Sequence, residues 1–208
     1  MTAPPDFYTD KGIIYIMKVL FIGNSYTYYN DMPALFKKEC EKNGVTAEVT
    51  SVTAGGYRLR QFLSDDDEYA LKIKRLLGSE TYDYIVLQEH STVPLIDPGA
   101  FLECVSEFTE MIKANGAKPV LYQTWGRADN SKTLSDLKMT HDEMQNGLRA
   151  IYKTAANENG ALPVYAGDAF DKAYKEGVDV YDPDGSHPSL SGSKIIAKEF
   201  CRSLISAL

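Results

Sequence analysis

Three histidines, His90, His141 and His187, occur in the 208 residues, so a mechanism that needs a neutral base near pH 7 has a short list of candidates. His187 lies in DPDGSHPS, Asp182 to Ser189, with two carboxylates just upstream. At the other end of the chain, GNSYTYYN, Gly23 to Asn30, is rich in hydroxyls. Hydroxyl, imidazole and carboxylate are the side chains that acyl transfer draws on: a hydroxyl is a weak nucleophile at neutral pH until a base takes its proton, and the base must be supported as it becomes cationic. The same loops admit other chemistry. Ser25, Thr27 and Asn30 could cradle an anion such as a flavin phosphate, although Tyr28 stands where such a loop needs glycine. Asp182, Asp184 and Gly185 hint at a calcium loop, but that register puts Val180 at the first ligand and Ser191 where a bidentate glutamate belongs. Cys40, Cys104 and Cys201 are odd in number and far apart, which suits neither a disulfide framework nor a zinc site. No metal and no cofactor is expected. His141, in a charged helical stretch without ligands at metal spacing, reads as a surface histidine.

Loops so far apart in sequence need a scaffold that brings them together. Apolar runs of strand length, Lys18 to Ile22, Ala47 to Val52, Tyr84 to Leu87, Pro119 to Gln123 and Leu162 to Tyr165, alternate with helical segments. That alternation is the mark of βαβ units and a mainly parallel sheet. Phe101, Val105, Phe108 and Ile112 predict a helix over about Pro98 to Lys113, and Met144, Leu148, Ile151 and Ala155 predict the next. Asp31 with Pro33 opens the first helix and Gly44 stops it; Ser189 or Ser191 opens the last. The run Asp65 to Glu68 suits a helix N-terminus, where the dipole favours acid. The expectation is an α/β fold, a flavodoxin-like three-layer α/β/α sandwich whose five-stranded sheet has the order 2-1-3-4-5. In that order a crevice opens at the carboxyl ends of the first and third strands, at the loops beginning with Gly23 and Gln88.

Composition bounds the rest. A formal charge of −7 repels phosphate backbones and anionic lipid, so the expected partner is a small molecule, with neither nucleic acid nor membrane. Ile13 to Met17 and Val19 to Ile22, broken by Lys18, are too short to span a bilayer, and MTAPPDFYTD lacks the basic start of a secretory signal; with three unpaired cysteines, a cytoplasmic protein is expected. Because MKVLFIGN from Met17 reads like a first strand at a start codon, residues 1–16 are expected to be a loosely held extension and 17–208 a single domain.

Gly, Asn and Ser at the end of strand one, together with Asp, two spacers, His and Pro before the last helix, resemble the SGNH or GDSL hydrolases from Met17 onward. The resemblance implies Ser25 as nucleophile, His187 as base and Asp184 as its orienting carboxylate, with Asp182 as the rival acid. It implies an oxyanion hole from the Ser25 N–H, a glycine N–H after strand two, for which Gly56 is preferred to Gly55, and an asparagine side chain after strand three. There the chain departs from the family and reads LQEHS, so Gln88 is the expected substitute, with His90 as competitor. Asn24 replaces the usual aspartate without touching the triad. Asn24, Tyr26, Trp125 and Arg127 are expected near substrate, as aromatics with polar tips suit sugar faces.

The function so implied is a serine esterase acting through an acyl-enzyme on a short-chain ester, acetyl above all, of a carbohydrate or other small polar alcohol. No apolar lid segment is visible for a lipid chain. A thioesterase or lysophospholipase would use the same residues, and a flavodoxin-like binding module or an inactive SGNH domain are the alternatives outside catalysis.

Overall fold

The computed structural model describes residues 7–9, 12–14 and 16–208. A short antiparallel ribbon, β1 (Phe7–Thr9) with β2 (Gly12–Ile14), precedes the main sheet. Of the other residues of the stretch expected to be an extension, Ile16 opens the first strand of the main sheet and the rest lie outside the described ones. The main sheet holds β3 (Ile16–Gly23), β4 (Thr46–Thr53), β5 (Tyr84–Leu87), β6 (Lys118–Tyr122) and β7 (Leu162–Val164) in the order β4-β3-β5-β6-β7. All four pairings are parallel, which is the expected 2-1-3-4-5 order counted within this sheet.

The run IMKVLFIG shows why β3 is central. Side chains alternate across a strand, and both faces of this one are covered, so it reads as nearly continuous apolar sequence. Met17, Val19 and Phe21 join one core with Phe36 of α2 (Met32–Lys42), Phe170 of α8 (Ala166–Lys175) and Phe200 of α9 (Leu190–Ile205). Leu20 and Ile22 join the other, with Ile73 of α3 (Glu68–Ser79), Phe108 of α5 (Pro98–Asn115) and Leu148 of α7 (His141–Asn159). Lys18, the interruption, donates its backbone N–H to Asp83 Oδ2 (2.7 Å).

Short helices α1 (Ser25–Tyr28), α4 (Val93–Ile96) and α6 (Lys132–Leu137) fill the carboxyl edge of the sheet and carry no strong periodic signal. The expected boundaries largely match. Ser189 caps α9, accepting from Gly192 N; Asp67 of the acidic run caps α3, accepting from Tyr69 N and Ala70 N. Asp31 precedes α2 as expected but caps nothing with its side chain: it and Asn30 sit at φ +52° and +53°, in the left-handed region that Asn and Asp tolerate best. No helix among the described residues is long and apolar enough to cross a membrane.

Candidate active site

The site lies where the sheet order predicts a crevice. β3 ends at Gly23, and Asn24 turns the chain into α1: its Oδ1 accepts from Tyr26 N (3.1 Å), its Nδ2 donates to Tyr57 O (2.9 Å), and Ser25 becomes the first helical residue. At the far end of the chain, Asp182 to Ser189 folds into a tight turn. Its closing bonds run from Asp182 N to His187 O and from Gly185 N to Asp182 O (both 2.9 Å), with Gly185 at φ +65°. The turn folds Asp184 back on its own loop, where its Oδ1 accepts from Ser186 N and His187 N (both 2.9 Å) and its Oδ2 meets His187 Nδ1 at 2.5 Å. His187 Nε2 lies 2.8 Å from Ser25 Oγ. Asp182 is the turn residue. Burial pushes the Asp184 carboxyl up, but the imidazole and the two backbone donors outweigh it and hold the group below its ordinary value, so it is anionic at neutral pH.

Neighbouring rings fix the imidazole. Tyr29 stacks on it at 4.3 Å between centroids and Tyr26 meets it edge-on at 5.5 Å. Asn30 Nδ2 donates to Pro188 O (2.9 Å) and Ser193 Oγ (3.1 Å), tying the serine segment to the histidine loop. A cleft of about 190 Å³ opens over this pair, lined besides Ser25 and His187 by Asn24, Tyr26, Gly56, His90, Ser91, Arg127 and Ser186. Gly56 holds φ +72°, whereas Gly55 does not line the cleft; a Cβ there would lie 3.1 Å from the Tyr28 hydroxyl.

Gln88 corrects the sequence reading. Instead of lining the cleft, it is buried beneath the serine segment: Oε1 accepts from Asn24 N (2.7 Å) and Thr27 Oγ1 (2.9 Å), and Nε2 donates to Glu89 O (2.6 Å). The extra methylene lets the carboxamide fold back into space that Gly23 leaves open, since a Cβ on Gly23 would lie 2.6 Å from Oε1. Trp125 corrects it as well. Fully buried, it is stacked between Tyr26 (4.5 Å) and Phe170 (4.3 Å) and donates Nε1–H to Ser186 O (3.0 Å), so it braces the histidine loop and does not line this cleft. Asn24 and Tyr26 do line the cleft, but their polar atoms are engaged internally, Tyr26 through its hydroxyl with Ser186 Oγ (2.9 Å). The hydroxyl loop is no anion cradle either, because Thr27, Ser25 and Asn30 are all bonded to protein.

His141 is not on the surface. It is 4% exposed, with Nδ1 2.7 Å from Arg127 O and Nε2 2.7 Å from Asp171 Oδ1, and it supports the segment that follows β6. His141, Asp142 and Asp171 converge as metal ligands would, yet Lys175 Nζ lies 2.7 Å from Asp142 and 3.1 Å from Asp171 and already supplies a cation. A helical register that puts His141 and Met144 on one buried face was the available signal. Glu89 gave none in sequence. Buried beside Gln88, it accepts the N–H groups of Leu59 (3.2 Å) and His90 (2.6 Å), joining the loops after β4 and β5, and burial pushes its carboxyl up to about 7 against those donors. Burial, then the charges of Arg127 and Arg58, pushes His90 below its usual value, so this ring is neutral at pH 7.

No family model and no curated protein matches the chain. Solved structures do. A protein of Slackia heliotrinireducens assigned to the SGNH hydrolases is 31% identical, with a TM-score of 0.82 over 91% of this chain and all of that one. A DUF4886 family protein of Bacteroides uniformis follows at 20% identity and TM-score 0.77, covering 92% of this chain and 84% of that one. The acetylxylan esterase Axe2 of Geobacillus stearothermophilus shares the fold at 17% identity and TM-score 0.62, covering 90% and 94%. With the sheet order, the serine after its first strand and the Asp-x-x-His loop before its last helix all in place, the chain belongs to the SGNH hydrolase family and is an ester hydrolase of that type.

Proposed function

We propose that this protein is a serine esterase that removes a short acyl group, acetyl above all, from a carbohydrate or other small polar alcohol. The observation that carries this reading is the unbroken chain from Ser25 Oγ through His187 to Asp184, opening on a cleft of only about 190 Å³. Ser25 Oγ attacks the acyl carbon while its proton passes to His187 Nε2, and the anionic Asp184 stabilises the imidazolium that forms. The oxyanion of the tetrahedral adduct takes hydrogen bonds from the backbone N–H groups of Ser25 and Gly56, each worth on the order of 3 kcal/mol. Collapse breaks the bond to the alcohol, which leaves with the proton from His187. Water, deprotonated by the same imidazole, then attacks the acyl-enzyme and releases the acid, restoring Ser25. The small cleft favours short acyl groups over lipid chains.

Labelling with a fluorophosphonate, mapped by mass spectrometry, tests the nucleophile. The expected result is one adduct, on Ser25, absent in Ser25→Ala, with hydrolysis of nitrophenyl esters falling as the acyl chain lengthens. An adduct elsewhere, or none, overturns the reading.

A further inference from the structure

Arg127 is the one lining residue of the cleft whose charge has no use in the mechanism above. It is 6% exposed, and no carboxylate of a described residue lies within ion-pair distance of it. Its Nη2 donates to Ser91 Oγ (2.9 Å), its guanidinium lies 5.1 Å from the centre of the Tyr26 ring, and its Nε has no hydrogen-bond partner. A buried cation without an anion costs several kcal/mol, so natural sequences keep one chiefly where a ligand completes it. The fold also spends structure on holding it still: His141 Nδ1 donates to the Arg127 carbonyl (2.7 Å), Ala128 N donates to Gly185 O (2.9 Å), and Trp125 is clamped two residues upstream. Planar guanidinium groups held in this way match carboxylates better than hydroxyls.

We infer that Arg127 binds a carboxylate carried by the substrate close to its ester bond, and so selects anionic esters. This rests on the esterase reading and narrows its substrate class. The carboxylate could belong to the alcohol, as in an acylated hydroxy acid or uronic acid, or to the acyl group, as in a dicarboxylate half-ester. Two pairs of probes separate these sources while changing little but charge. O-acetylglycolate is compared with O-acetylglycolamide, following acetate, and mono-4-nitrophenyl succinate with 4-nitrophenyl succinamate, following nitrophenol.

In one pair the wild type should favour the charged member by roughly ten- to a hundredfold in kcat/KM, mostly through KM. That ratio should fall to near unity in Arg127→Gln and be partly kept in Arg127→Lys. Equal rates within both pairs for the wild type overturn the inference without needing a variant. So does a charge preference that survives Arg127→Gln. If no ester is turned over, the esterase reading fails instead, and melting temperature decides the arginine separately. Glycolate or succinate should raise the wild-type melting temperature where glycolamide or succinamate does not, and the absence of any such difference overturns carboxylate binding.

Discussion

Asp184 and Glu89 answer to opposite pressures. Asp184 is partly exposed and receives three donors, so it is held anionic; Glu89 is enclosed, and burial outweighs its two donors. Glu89 therefore gives a stability effect of definite sign. Its folded-state value of about 7 lies above the ordinary carboxylate value of 4.5, so between these the unfolded chain releases the proton first. Stability contributed by the protonated group is complete below about pH 4.5, declines through the window and is lost above about 7, by on the order of 3 kcal/mol in all. In Glu89→Gln that decline should disappear. Urea midpoints of both proteins across this range would show it, and parallel profiles would sink the argument.

The contacts among Ser25, His187 and Asp184 could be anticipated from the family resemblance, because Asp184 and His187 share one short loop and Ser25 follows the first strand. Those of Glu89 and Gln88 could not, since a polar residue at a strand end looks the same in sequence whether its side chain turns toward the cleft or folds beneath the neighbouring loop. Long-range partners decide, and for Gln88 these are Asn24 and Thr27.

At the level of elements, the passage from β3 to α1 is a tightly packed joint. Gly23 has no side chain because the Gln88 carboxamide and the Thr27 hydroxyl fill that space, each 2.6 Å from where a Cβ would stand. Gly23→Ala must push Gln88 off Asn24 N and so tilt α1, which carries Ser25. A loss of about 1 to 3 kcal/mol in stability is expected, as for overpacking elsewhere. The rate should fall on the order of a hundredfold, because misplacing a nucleophile by about 1 Å has that effect. Esterase assays and urea melts of this variant would test it, and unchanged kcat would refute the strut role of Gln88. The five strands of the main sheet were readable from apolar runs and α5 and α7 from periodicity, while α2 and α9 were placed by the residues at their ends. The short helices α1, α4 and α6 were not readable: one turn of helix has too few residues to show a period, and the left-handed Asn30 and Asp31 break the pattern again before α2.

Across the whole molecule, one sheet separates two apolar cores that share only their strands. Phe108, on α5, and Phe200, on α9, are each fully buried, on opposite faces. Either Phe→Ala change should cost about 3 to 5 kcal/mol. The double variant should lose the sum to within about 0.5 kcal/mol, because the sites share no partner. Urea titrations should still give one transition for each protein. Separate transitions would show that the two layers unfold independently.

The stacked indole between Tyr26 and Phe170 has a practical consequence. Trp125 is the only tryptophan in the sequence, so emission excited selectively from tryptophan comes from a reporter set between Tyr26, the neighbour of Ser25, and the histidine loop. A change in its emission when an inhibitor or ester binds would register movement of Ser186 and its loop directly. The enzyme thus carries its own optical probe of whether the serine and the histidine are still joined, without a dye or a label.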